Sequence, residues 1–176
     1  MINTVILNQD EIKIFNKAKG LIKTKLLYRG SRDGTSSTIF HNKCNSMGAT
    51  LTLIKTIDNY IFGGYTQKSW SSTAGPVVDL QAYLFVLRNR NITVSSWIQF
   101  NARGSGYHST LNYPSLGPTF GHSTSNSGDI SIPDRFDIRA GSSNGLAYYS
   151  STYGYISSHI RNSWIIGDVE VFQIIS

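Results

Sequence analysis

The stretch Leu27-Tyr28-Arg29-Gly30-Ser31-Arg32-Asp33-Gly34 decides how the chain reads. A short apolar strand over 25–29 runs into a polar turn over 31–34. Asp33-Gly34 favours a positive φ at the glycine, and the Asp carboxylate can accept from nearby backbone N–H groups. A helix start follows, with Ser36 or Ser37 as N-cap and Ile39, Phe40 and Lys43 at helical spacing, ending near Cys44. Such dense punctuation specifies a fold before it specifies a reaction.

Upstream, Asn8 has the character of an N-cap with Glu11 as its capping-box partner, and Asp10 also suits the helix dipole. Ile12, Phe15 and Ala18, with Ile14, form an apolar stripe, and Gly20 ends the helix. A helix this short must pack on something. Downstream, 50–57 alternates as a half-buried strand. Asp58-Asn59 turns a hairpin onto a strand over 60–65. Gly63 and Gly64 inside it predict a bulge or a close approach by another segment. Trp70 and Gly75-Pro76 read as loop.

Residues 83–87 are apolar on both faces and belong in the middle of the fold. In 92–100, Ile92, Val94, Ile98 and Phe100 share one face and Trp97 takes the other. The runs 102–128 and 142–154 read as loops, 129–132 as a short strand and 164–175 as the last strand. Val169 and Val171 point opposite to Asp168 and Glu170. Many short strands without a βαβ rhythm predict an α+β, mainly β fold. It is expected as a two-layer antiparallel sandwich with two short helices at its edge, near the N-terminus. Residues 1–176 are expected to form one domain, 1–24 as a helical lead-in and 25–176 as the sandwich.

A chain of 176 residues with 40% hydrophobic and 15% charged residues suits a globular protein. The net charge of +6 permits an anionic partner. Its densest basic group is Lys13, Lys17, Lys19, Lys23, Lys25, Arg29 and Arg32, read first as a solvated face. One cysteine, Cys44, excludes an intramolecular disulfide framework and suits a reducing compartment. No signal-peptide pattern or membrane-length apolar run is present, so the expected location is cytoplasmic.

Taken together these residues resemble the TLDc family. The resemblance rests on Leu26-Leu27-Tyr28-Arg29 with Ser31-Arg32-Asp33-Gly34, then Phe40 and Cys44, then Gly48-Ala49-Thr50-Leu51-Thr52-Leu53-Ile54-Lys55. It continues with Phe62-Gly63-Gly64-Tyr65 and Trp70, Leu116-Gly117-Pro118-Thr119-Phe120-Gly121, and Asp168-Val169-Glu170-Val171-Phe172. It runs from about 6 to 174. The run 129–135 departs from the family's Ser/Asn-rich pattern at Pro133 and Arg135. The resemblance implies a sandwich with flanking helices and roles in oxidative-stress resistance. It also implies binding to the cytosolic sector of the vacuolar proton pump, with influence on its assembly. It implies no nucleic acid and no cofactor.

The chemistry-bearing residues are few. A peroxidatic Cys44 would need a lowered pKa and usually a resolving thiol, yet it sits near a helix C-terminus. A buried structural cysteine is the preferred reading. His41 lies three residues before it, but two ligands make no metal site, and His108, His122 and His159 fall in separate contexts. Asp168 and Glu170 sit about 6–7 Å apart along one strand face, a separation shared with paired glycosidase carboxylates. The alternatives are therefore a thiol antioxidant enzyme or a carbohydrate-binding or hydrolysing sandwich. The latter would use loops rich in tyrosine, namely Tyr107, Tyr113, Tyr148, Tyr149 and Tyr153. Against it stand solvent-facing acids, or partners for Arg29 or Arg32. No phosphate loop or nucleophile elbow is present. The preferred expectation is a non-enzymatic interaction domain, with Arg32, Asp33, Gly63, Gly64, Trp70, Asp168 and Glu170 as candidate contact or motif residues.

Overall fold

The computed structural model describes residues 2–90, 92–103, 108–122, 128–142, 148–149, 151, 156–160 and 162–175. Helix α1 (Gln9–Lys19) starts where the capping box predicts. The Asn8 side chain accepts from the N–H groups of Asp10 and Glu11, and the Glu11 carboxylate accepts from the Asn8 N–H. Gly20 closes it at φ 75°. Phe15 is fully buried, but Ala18 of the predicted stripe is exposed.

Strand β1 (Lys23–Arg29) leads into α2 (Gly30–Asp33), a single helical turn where the sequence predicts a plain turn. Gly34 ends it at φ 110°, the positive value expected. Helix α3 (Ser37–Cys44) follows, N-capped by Ser36. Strands β2 (Thr50–Thr56) and β3 (Ile61–Thr66) form the expected hairpin, with Asn59 in the left-handed region at φ 65°. Next come β4 (Gly75–Val77), β5 (Tyr83–Asn89) and β6 (Ile92–Ala102). Strands β7 (His108–Asn112), β8 (Phe120–His122), β9 (Gly141–Ser142), β10 (Tyr148–Tyr149), β11 (Ser163–Trp164) and β12 (Ile166–Ile175) complete the described set.

A seven-stranded antiparallel sheet, ordered β1-β12-β2-β3-β5-β6-β10, carries the molecule. A three-stranded sheet, β4-β7-β8, and the pair β11-β9 accompany it. One core fills the sandwich, with Tyr28, Ile54, Phe62, Leu84, Val86, Phe100, Val169 and Val171 of the large sheet meeting Phe120, Ile130, Ile132 and Phe136. A second core covers the other face, where Ile2, Ile6, Leu7 and Phe15 pack on Leu51, Leu53, Ile61, Phe85, Leu87 and Phe172. Helix α1 thus lies on a sheet face and not at its edge.

This third layer explains the largest departure in the reading of β2. Alternation predicts a half-buried strand, yet every residue but Lys55 is buried, because β2 is central and both its faces are covered. Residues 75–77 and 108–112, read as loop, are short strands whose buried polar side chains (Ser109, Thr110, Asn112) hide the apolar signal. Residues 130 and 131 make only isolated bridges and no full strand. The last strand is interrupted, with Ile165 between β11 and β12 and a register shift between Ile166 and Asp168.

Candidate functional site

The opening Arg-Asp turn is a closed lock. Arg32 donates through Nε and Nη2 to both Asp33 oxygens, at 2.9 and 2.7 Å, and Lys43 Nζ stands 3.3 Å from Oδ1. The Arg29 N–H donates to Asp33 Oδ2 at 2.9 Å. These partners, the Arg32 guanidinium first, hold the Asp33 carboxyl down at about 2. Both the fork of Arg32 and the acceptors of Asp33 are therefore occupied from within.

Asp168 and Glu170 are equally engaged. Asp168 accepts from the Ser31 N–H at 2.9 Å and the Ser31 hydroxyl at 2.6 Å, tying β12 to α2. Glu170 is wholly buried. It accepts from Arg29 Nε at 2.7 Å, from the Val5 N–H at 3.2 Å, and from the Thr4 hydroxyl. The solvent-facing pair anticipated as one alternative is thus corrected, and the Arg29 partnership holds for Glu170. Asp168 does border a shallow groove, with Val5, Ile57 and Lys55, but no tyrosine shares it. A charge as buried as Glu170 persists only where pairing and hydrogen bonds offset its desolvation. It anchors the N-terminal segment.

Gly63 and Gly64 answer to close approach and not to a bulge. A Cβ on Gly63 would lie 1.9 Å from the Thr52 carbonyl oxygen, and one on Gly64 would lie 2.7 Å from the Phe120 ring. The register shift of β3 falls earlier, between Ile61 and Phe62. Trp70 is a core plug, edge-on to Phe40 and Phe120 at 5.5 and 5.4 Å, with Nε1 donating to Thr50 Oγ1 at 2.9 Å.

Cys44 is fully buried, and burial, with Asp33 adding to it, pushes its thiol up to about 12. Its neighbour His41 is also buried. Nε2 of His41 faces the carbonyls of Tyr113 and Leu116 at 2.9 and 3.1 Å, which requires that nitrogen to donate, and Nδ1 contacts Asn45 Oδ1 at 2.8 Å. The ring ties α3 to the loop after β7. His108 and His122, expected in separate contexts, are opposite one another in the β7–β8 ladder. Among the described residues no three His, Cys, Asp or Glu side chains cluster as metal ligands. Tyr148 is buried with its hydroxyl donating to the Ser109 carbonyl at 2.6 Å, and burial raises its pKa well above the phenol range. Tyr113 is 37% exposed. Tyr107 and Tyr153 lie outside the described residues, as does the side chain of Tyr149.

Three arrangements escape the sequence reading. Glu11, besides its capping role, is fully buried and takes a two-pronged bond from Arg88 at 2.6 and 2.9 Å. Asp79 is buried and gathers Thr66 Oγ1 at 2.8 Å, the Gln67 N–H at 2.6 Å and the Gln81 N–H at 3.0 Å. The bond from Asp79 to the residue two further on is an Asx turn, a local signal that was available. Third, beside the C-terminal end of α1 lies a groove of about 440 Å³ lined by Lys19, Tyr65, Gln67, Leu80, Gln81, Ala82, Tyr83, Gln99 and Asn101.

A large antiparallel sheet covered by smaller sheets on one face and by an N-terminal helix on the other defines a helix-flanked β-sandwich. The acids Asp168 and Glu170, Trp70 and the glycines Gly63 and Gly64 hold that architecture together. Within this class the sequence matches the TLDc domain model over residues 2–175, and the chain belongs to the TLDc family. No curated protein sequence matches it. No helix among the described residues is long and apolar enough to cross a membrane.

Proposed function

We propose that this chain is a non-enzymatic, cytoplasmic interaction domain that docks on the cytosolic sector of a vacuolar-type proton pump and influences its assembly. Its contribution to oxidative-stress resistance then runs through that partner and not through chemistry of its own. The observation that carries the reading is the TLDc match along 2–175.

The state of the reactive side chains supports it. A peroxide-handling thiol needs exposure and thiolate character, and Cys44 has neither, being buried with its pKa raised. A glycosidase pair needs two carboxyls facing one substrate cleft. Glu170 instead faces Arg29 and the N-terminal segment, and Asp168 faces Ser31. An affinity pull-down from the native cell tests the proposal. Subunits of the pump's cytosolic sector should co-purify with the tagged domain. Their absence at physiological and at low salt, with the domain folded, would contradict it.

A further inference from the structure

The groove beside the end of α1 holds a cation, Lys19, with no carboxylate partner among the described residues. Lys19 Nζ lies 3.8 Å above the Tyr83 ring and 5.0 Å from that of Trp97, and its hydrogen-bond partner is the neutral Gln99 Oε1, at 2.5 Å. Its surroundings are fixed by a relay of amides. Trp97 Nε1 also donates to Gln99 Oε1 at 2.9 Å, and Gln99 Nε2 donates to Asn101 Oδ1 at 2.6 Å. Tyr65 stacks on Tyr83 with centroids 5.0 Å apart.

Among the described residues no acidic side chain lines this groove. The buried carboxylate of Asp79 has its oxygens filled by Thr66, Gln67 and Gln81, two of which line the groove. Three other basic residues of this segment are answered internally. Lys13 pairs with Asp10, Arg29 with Glu170 and Arg32 with Asp33. Burial without a counter-ion lowers the Lys19 pKa, the opposite of what a seated carboxylate would do. A half-desolvated ammonium held on aromatic faces gains most from an anion that arrives with its own partners.

The rest of the lining says which anion. Side-chain amides of Gln67, Gln81 and Asn101 can both donate and accept, as a peptide backbone requires. Leu80, 59% exposed, offers an apolar contact beside the charge. The groove is open and larger than one carboxylate needs. We propose that it receives an acidic segment of a partner protein, a glutamate or aspartate carboxylate seated on Lys19 with an apolar neighbour on Leu80. This deepens the interaction-domain reading by naming a surface and the chemistry of what binds there.

The test uses the whole chain and a peptide probe, acetyl-Gly-Ser-Leu-Glu-Leu-Ser-Gly-amide, beside its glutamine analogue, followed by amide chemical shifts. The glutamate peptide should move signals of Tyr65, Tyr83, Gln99 and Asn101 and bind more tightly than the analogue. Lys19→Met should weaken it about tenfold, the size of a lost charge-assisted hydrogen bond. Lys19→Arg should retain most of the binding, and Lys23→Met, on β1, should leave it within about twofold. Equal binding of both peptides, or an unchanged affinity in a folded Lys19→Met variant, would overturn the proposal. So would binding of phosphatidylserine vesicles or single-stranded RNA at these residues while the peptide is inert. If the peptide fails while pump subunits still co-purify, the groove assignment is wrong and the pump reading stands. If the peptide binds through Lys19 and the pump does not, the groove stands alone.

Discussion

Replacing Arg29 by Met should destabilise the fold through Glu170, a residue it leaves unchanged. Arg29 Nε sits 2.7 Å from Glu170 Oε1, and the Glu170 side chain is 0% exposed against 19% for Arg29. Removing one partner of a buried pair costs about 3–5 kcal/mol, because the remaining charge stays desolvated. Here the Val5 N–H and Thr4 hydroxyl still donate to Glu170, which places the cost near the lower end, about 3 kcal/mol. For a chain of this length that corresponds to a melting temperature lower by about 6–12 °C. The partner variant Glu170→Gln carries no charge and keeps one oxygen for the Val5 N–H, while its NH2 can donate to the Thr4 hydroxyl, which bonds the other carboxylate oxygen in the parent. The double variant, Arg29→Met with Glu170→Gln, should therefore be more stable than Arg29→Met alone. Urea unfolding of the two single variants, the double variant and the parent gives the coupling directly. A loss under about 1 kcal/mol for Arg29→Met, or strictly additive losses, would show that the pair does not hold the N-terminal segment as described.

The two glycines of β3 should separate by their neighbours. Gly63→Ala drives a methyl against the Thr52 backbone oxygen, which cannot move without parting β2 from β3. A cost of about 3 kcal/mol or more is expected, with Gly64→Ala nearer 1–2 kcal/mol because the Phe120 and Leu84 side chains can shift. Chemical denaturation should rank them in that order, and the reverse ranking refutes the close-approach account. Cys44 should resist maleimide in the native protein and react at once in denaturant, since burial keeps its thiol neutral. Labelling of the native protein within minutes, or peroxide consumption lost on Cys44→Ser, would reinstate a thiol mechanism.

The local instructions were the legible part of the sequence. The capping box at Asn8 and Glu11, the positive φ at Gly34 and the Asp58-Asn59 hairpin each depend on residues a few positions apart. So does the division of Trp97 from Phe100 between two cores. What depended on distant pairing was hidden. Nothing near Thr50 announces that β2 will be covered on both faces, because one cover comes from residues 2–15 and the other from Phe40, Trp70 and residues beyond 100. The strand 108–112 buries Ser109, Thr110 and Asn112, so it carries no apolar alternation to detect. The candidate acids were located in sequence and the Arg29 pairing of Glu170 was among their readings, but its bond from Thr4 was hidden, since it forms only after the chain has closed on itself. The groove was equally invisible. Tyr65, Tyr83 and Asn101 become neighbours solely through the register of β3, β5 and β6, and Lys19 reaches them from a helix far earlier in the chain.

Direct binding of the purified chain to the purified cytosolic sector of the proton pump measures the proposed docking. Saturable binding at micromolar concentrations or tighter is expected, with a shift in the sector's assembly state and no consumption of peroxide. No binding at those concentrations across several salt conditions, by a chain that remains folded, would contradict it.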